Sequence, residues 1–273
     1  MRAILLIILF IVGTCIGSFL CCEARRLHIK TSKKGKTKAL NRRSICLNCN
    51  YQLKWYDNIP IFSWLFLRGK CRKCRTSIGS AEILSEIGLG LAFLLLGLNF
   101  DFLNLNFLSG AIFLTTLILA AILGFLAIYD GLYGELPSAL LTLSIICATI
   151  LLILKEWSSL SITAFSLENV LYPLASVAIL GGLYLLLYVF SKGKWVGDGD
   201  WLLGTAIGIA LGNPWLALIA LFVANASASI YVLPSFKRSS SRHIHLGPFL
   251  FIGFIIALTF EKFFLGLLSG GML

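Results

Sequence analysis

Three acidic residues stand where a carboxylate is expensive. Asp130 ends an uncharged run of 28 residues, 102–129, and Asp198 and Asp200 directly precede an uncharged run of 36, Trp201–Phe236. An ionisable group beside hydrocarbon marks a functional site by default. Two such carboxyls brought together can share one proton. One then activates water as a base while the other protonates or polarises a carbonyl, which is the chemistry of an aspartic protease. Glycines flank both candidates: Gly131 and Gly134 follow Asp130, and Gly197 and Gly199 precede Asp200. Lacking a Cβ, they permit unusual backbone angles and close approach of a substrate backbone. Read locally, the same acids also fit solvated interfacial loops, Asp198 most readily, and a bare G-x-G-D string is a weak motif.

The second constellation is Cys46-x2-Cys49 and Cys71-x2-Cys74, separated by 21 residues. Two C-x2-C pairs at this spacing point to a tetrahedral four-thiolate zinc site, with redox-active thiols as the alternative. Four sulfurs leave no open coordination position, so the metal is expected to be structural. The surrounding Arg and Lys suit the dianionic centre. Cys15, Cys21, Cys22 and Cys147 lie in or beside apolar stretches and read as small packing residues.

The elements that must position these groups are membrane helices. Of 273 residues, 58% are hydrophobic and 13% charged, and mean hydropathy is +0.91. Soluble domains carry about 25% charged residues, so disorder and a soluble single-core protein are excluded. Apolar stretches at 3–22, 81–100, 106–128, 137–154, 170–190, 201–212, 214–236 and 246–266 predict an all-α bundle of about eight transmembrane helices. Gly212-Asn213-Pro214 divides the long uncharged run into a short helix and a full one. The first stretch lacks a small-x-small cleavage site and reads as a retained helix. The organisation expected is a first transmembrane helix, 1–22, a basic loop domain, 23–80, and a transmembrane domain carrying both aspartates, 81–273. Alternating the loops puts 20 Lys and Arg on one side and 3 on the other. The positive-inside rule places the cysteine loop, Asp130 and Asp200 at the cytoplasmic face. Within the net charge of +11, residues 23–80 hold a net +13 and the remainder a net −2. His28, His243 and His245 read as solvated residues near headgroups, though His243 and His245 lie on the side where they could touch substrate. Trp55, Tyr56, Trp195 and Trp201 fit an interfacial belt, and Lys30–Lys38 a solvated stretch near anionic lipid.

Taken together, these residues resemble the type IV prepilin peptidase family, GxGD-type membrane aspartic proteases that are often also N-methyltransferases. The resemblance covers nearly the whole chain. It rests on Gly17-Ser18-Phe19-Leu20, the two cysteine pairs, Asn58-Ile59-Pro60-Ile61 with Ser63-Trp64-Leu65, and Leu67-Arg68-Gly69-Lys70-Cys71. Glu82 and Glu86, Asp130-x5-Leu136-Pro137, Gly197-x-Gly199-Asp200 and Gly247-Pro248-Phe249 complete it. Three positions depart from the pattern: Leu202 stands where Lys is usual, Cys21 where Asn is usual, and Leu47 where Pro is common. Leu202 removes a charge beside Asp200.

The resemblance implies cleavage of the leader peptide of type IV prepilins and pilin-like precursors, with Asp130 and Asp200 catalytic and Gly197 and Gly199 supporting. It also implies methylation of the new N-terminus with S-adenosyl-L-methionine, which the family associates with the cysteine loop. No Gly-rich strand-turn-helix pattern marks a site for that cofactor. The setting implied is the bacterial cytoplasmic (inner) membrane, with precursor proteins and the lipid bilayer as partners and no nucleic acid. A transporter or channel would place its acids nearer the midplane. A non-catalytic zinc-binding membrane adaptor would not need both aspartates.

Overall fold

A computed structural model describes residues 2–31, 44–46, 48–102, 106–160, 167–233 and 245–268. The basic run beyond Thr31 through Lys38, Leu47 of the first cysteine pair, and His243 lie outside the described residues. The described chain is almost entirely helical. Backbone pairing of the β type among the described residues is confined to two isolated bridges, Ile45 with Gln52 and Lys70 with Ser77. The chain divides into two compact units, Met1–Gly97 and Leu98–Leu273.

In the first unit, α1 (Arg2–Thr31) runs about 45 Å, well past the 22 residues expected of the first span. It continues through Arg25, Arg26 and Lys30, because nothing in Glu23–Thr31 breaks a helix. Its Gly13 and Gly17 face α3 (Ala81–Leu98). A Cβ at Gly13 would stand 2.6 Å from the Leu89 carbonyl oxygen, and Gly17 is as closely opposed to Ser85. Small residues four apart let membrane helices approach backbone to backbone. Between them lie a 3-10 turn, Trp55–Asn58, and α2 (Phe62–Phe66).

The second unit contains α4 (Phe107–Tyr133), α5 (Ser138–Leu160), α6 (Glu168–Val177), a π turn (Ala178–Gly182) and α7 (Leu183–Ser191). These are followed by α8 (Asp198–Leu211), α9 (Pro214–Val232), α10 (Gly247–Thr259) and α11 (Glu261–Leu268). Among the described residues of both units, six helical runs are long and apolar enough to cross a bilayer, seven if the pair α10–α11, bent by 69°, counts as one span. The remaining expected span, 201–212, is α8. At 14 residues it is only about 21 Å long. It packs against α5, α6, the π turn, α7, α9 and α10, so its ends meet protein rather than lipid, where short helices are tolerated. Gly204 and Gly208 bring it against the carbonyl oxygens of Leu180 and Ser176, and Ser176 Oγ donates to Gly208 O at 2.8 Å. Gly212, at φ +63°, ends α8, Lys155 Nζ donates to Ala210 O at 3.2 Å, and Asn213 caps α9 by accepting from Trp215 N at 2.9 Å. The Gly-Asn-Pro break read from the sequence is therefore a paired C-cap and N-cap.

Candidate functional site

Asp130 lies in the last turn of α4, which closes on Gly134. This residue adopts φ +67°, and its N–H donates to Asp130 O at 2.8 Å. The α4–α5 turn then carries Glu135, Leu136 and Pro137. On the other side, Gly197 is the N-cap of α8. Asp200 occupies the third helical position and reaches back to accept the Gly197 N–H at 2.9 Å through Oδ2, the acidic half of a capping box. Gly199 is needed for approach: a Cβ there would stand 2.7 Å from Leu136 Cβ.

Asp130 and Asp200 thus come from helices 70 residues apart and line one cavity of about 320 Å³. Gly134, Glu135, Leu136, Gly197, Asp198 and Gly199 complete its wall. The two aspartates are 5% and 7% exposed, whereas Asp198 and Glu135 are exposed at the mouth. Such a pair, sheltered but open to one cavity, can hold a water and a peptide carbonyl between a base and an acid.

Asp130 is fixed from α10. Its Oδ2 accepts the Gly247 N–H at 2.8 Å, and a Cβ at position 247 would come 2.8 Å from that same oxygen. His245 Nδ1 stands 3.7 Å from Asp130 Oδ1. The sequence signals Gly247 only within its Gly-Pro-Phe string, and its role as donor is a backbone property that residue type does not show. Glu135 carries no motif at all.

The four cysteines are a separate constellation in the first unit. Their Sγ atoms lie within 4.8 Å of one another, with Cys46 to Cys74 at 3.8 Å and Cys49 to Cys71 at 3.9 Å. Sulfurs about 2.3 Å from a tetrahedral ion are separated by about 3.8 Å, whereas a disulfide would need about 2.05 Å. The two pairs share one backbone design. Cys46 N donates to Tyr51 O and Cys71 N to Thr76 O, both at 2.9 Å. The residues after the second cysteines, Asn50 and Arg75, both adopt left-handed φ, +54° and +59°. Two matching knuckles presenting four sulfurs within reach of one ion could hold a metal, and an all-thiolate donor set fits zinc.

Hydrogen bonds from the Thr76 side chain and backbone, then from Asn48, pull the Cys74 thiol down to about 5. Against the lowering pull of the Tyr51 backbone, desolvation and the neighbouring sulfurs push Cys49 up to about 11. Four thiolates this close repel one another unless a cation lies between them.

The loop is pinned by a buried acid. Asp57, 7% exposed, accepts from Arg72 Nε at 2.7 Å and from Lys54 N at 3.1 Å. The Arg72 guanidinium also lies over the Tyr56 ring. Glu82 pairs with Arg25 of α1 at 2.5 Å. Glu86 accepts the Ile61 N–H at 2.6 Å, holding a β-branched residue at φ +63°.

The family described as the bacterial Peptidase A24 N-terminal domain matches residues 11–100. Relatives named prepilin leader peptidase/N-methyltransferase match most of the chain. One from Burkholderia pseudomallei (strain 1026b) is 32% identical over 84% of this chain and 70% of its own. One from Vibrio cholerae serotype O1 is 29% identical over 94% of this chain and 97% of its own. One from Klebsiella pneumoniae is 31% identical over 77% and 86%. No solved structure matches the chain.

Proposed function

The chain belongs to the prepilin leader peptidase/N-methyltransferase family, and from that premise we propose that Asp130 and Asp200 cleave the leader peptide of type IV prepilins and pilin-like precursors. The enzyme is bifunctional, a peptidase and an N-methyltransferase. The observation that carries the catalytic assignment is that the two aspartates, the acids at the borders of the two long uncharged runs, line one cavity. One carboxylate takes a proton from water, whose oxygen adds to the scissile carbonyl, while the other carboxyl protonates the carbonyl oxygen. Gly197 supports this by donating its N–H to Asp200, and Gly199 by admitting Leu136 at close range.

The cut falls at the cytoplasmic face of the bacterial inner membrane. The 20-to-3 division of Lys and Arg supports that orientation. The organisation 1–22, 23–80 and 81–273 assigns the cysteine loop to methyl transfer and the last segment to proteolysis. Zinc held by Cys46, Cys49, Cys71 and Cys74 stabilises the loop, and S-adenosyl-L-methionine supplies the methyl group. Cleavage of a defined prepilin in membranes by Asp130→Asn and Asp200→Asn variants tests the assignment. Loss of cleavage in both is expected, and near-normal cleavage by either overturns it.

A further inference from the structure

The two aspartates are nearly matched in their surroundings. Each accepts one backbone N–H at the start of a helix, Asp130 from Gly247 of α10 and Asp200 from Gly197 at the cap of α8. Helix N-termini favour an anion, so this contribution acts on both. Asp130 also lies in the last turn of α4, whose C-terminal end opposes a negative charge. The other ionisable groups of the cavity wall, Glu135 in the turn after α4 and Asp198 at the start of α8, are acids. They do not supply a cation to either partner.

His245 breaks this near-symmetry. Its Nδ1 is 3.7 Å from Asp130 Oδ1, too long for a hydrogen bond but within ion-pair range. The ring is held against the backbone of Gly134, where a Cβ would come 2.8 Å from His245 Cε1. The residue that ends α4 therefore also makes room for the imidazole. The ring is half-exposed at 42% and faces a carboxylate that is 5% exposed. The titratable group facing it is Asp130 on α4, and Glu135, Asp198 and Asp200 line the cavity that Asp130 shares.

We propose that His245, when protonated, is a positioning residue that draws the single negative charge of the pair onto Asp130, making Asp130 the base and Asp200 the acid. The inference rests on the reading of Asp130 and Asp200 as the catalytic pair. In the first step the Asp130 carboxylate takes a proton from water, the water oxygen bonds to the scissile carbonyl carbon, and the Asp200 proton passes to the carbonyl oxygen. In the second, the C–N bond breaks, the proton on Asp130 leaves with the amine, and the proton on the former carbonyl oxygen returns to Asp200. Both groups regain their starting states. Imidazoles change charge between about pH 5 and 8. The arrangement needs the imidazole to carry its second proton, and a side chain that stays cationic throughout this range should substitute for it.

The test is the initial rate of leader removal from a purified prepilin by the full-length protein in lipid bilayers, from pH 5.5 to 8.5, as chosen assay limits of about three units around neutrality. Wild type, His245→Gln, His245→Lys and Asp130→Asn are compared. Wild-type activity is expected to fall as pH rises through the imidazole range. His245→Gln should be about tenfold slower at the acidic end, the size of one pKa unit of lost ion-pairing, and should lack that fall. His245→Lys should retain the wild-type acidic rate and hold it at high pH. A wild-type profile in His245→Gln, or equal impairment of Gln and Lys variants, overturns the proposal. Any variant that elutes as aggregate is replaced by His245→Asn or His245→Arg, with the same expectations. An active Asp130→Asn would sink the catalytic reading itself. An inactive Asp130→Asn beside an unaltered His245→Gln profile would sink this inference alone.

Discussion

Asp130 and Asp200 are held by backbone amides and by glycines in contact with neighbouring helices, while the four cysteines sit in a loop with almost no interior. Among the described residues of 44–80, only Asp57, Gly69 and Cys71 are buried. The aspartate site inherits its geometry from packed helices, and α8 is enclosed by protein along nearly its whole length. The cysteine loop has a few polar pins, Asp57 with Arg72 and Asn48 with Thr76, and a bound metal would add folding free energy that so small an interior lacks. The difference teaches that loss of metal should disable one region and leave the other intact. Loss of a carboxylate should do the reverse.

The largest effect expected is from the acids. Asp130→Asn or Asp200→Asn should slow leader removal by about 10³-fold or more, measured on a defined prepilin. Methylation of an already trimmed substrate should be kept, and its loss would break the division between the two regions. Next comes the metal. Cys71→Ser with Cys74→Ser, or removal of zinc by a chelator, should abolish methylation and raise amide exchange across the loop. Leader removal should stay within a few-fold of wild type. A smaller effect distinguishes two glycines of the same motif. Gly199→Ala forces a Cβ to 2.7 Å from Leu136, whereas Gly197→Ala places one at 3.3 Å from Asp200 Oδ2. Displacement of a catalytic group costs about 10² in rate per ångström. Gly199→Ala should therefore lose more cleavage than Gly197→Ala, with a lower unfolding temperature. The smallest is Glu86→Gln, which weakens the charge-assisted bond to Ile61 N. It should cost about 1 kcal/mol in the first unit, read by chemical denaturation, and leave cleavage unchanged.

What could be read from the sequence follows the same contrast. Asp130 and Asp200 were visible because an acid at the edge of a long apolar run is costly wherever it folds, and the cysteine pairs because ligand spacing is local. The break at Gly212-Asn213-Pro214 was visible because its caps are local too. Hidden were contacts whose chemistry lies in the backbone or far along the chain. The Gly247 N–H reaches Asp130 across 117 residues, and hydropathy gives no hint of it. His245 reads as a headgroup residue that could touch substrate, and its place beside Asp130 emerges only from the fold. Hydropathy also finds the apolar character of α8 without telling whether lipid or protein surrounds it, so its shortness has no explanation until its neighbours are known. The continuation of α1 to Thr31 escaped for the opposite reason: charge marks the end of a span but not the end of a helix.

The claim that Asp130 and Asp200 form one catalytic device is tested most directly by comparing leader removal by Asp130→Asn, Asp200→Asn and the double variant in the same membranes. Groups that act as a unit are strongly non-additive. The double variant should be no slower than either single variant, with all three near background and normally folded. A double variant slower by the product of the two single effects, or a single variant that cleaves near the wild-type rate, would contradict it.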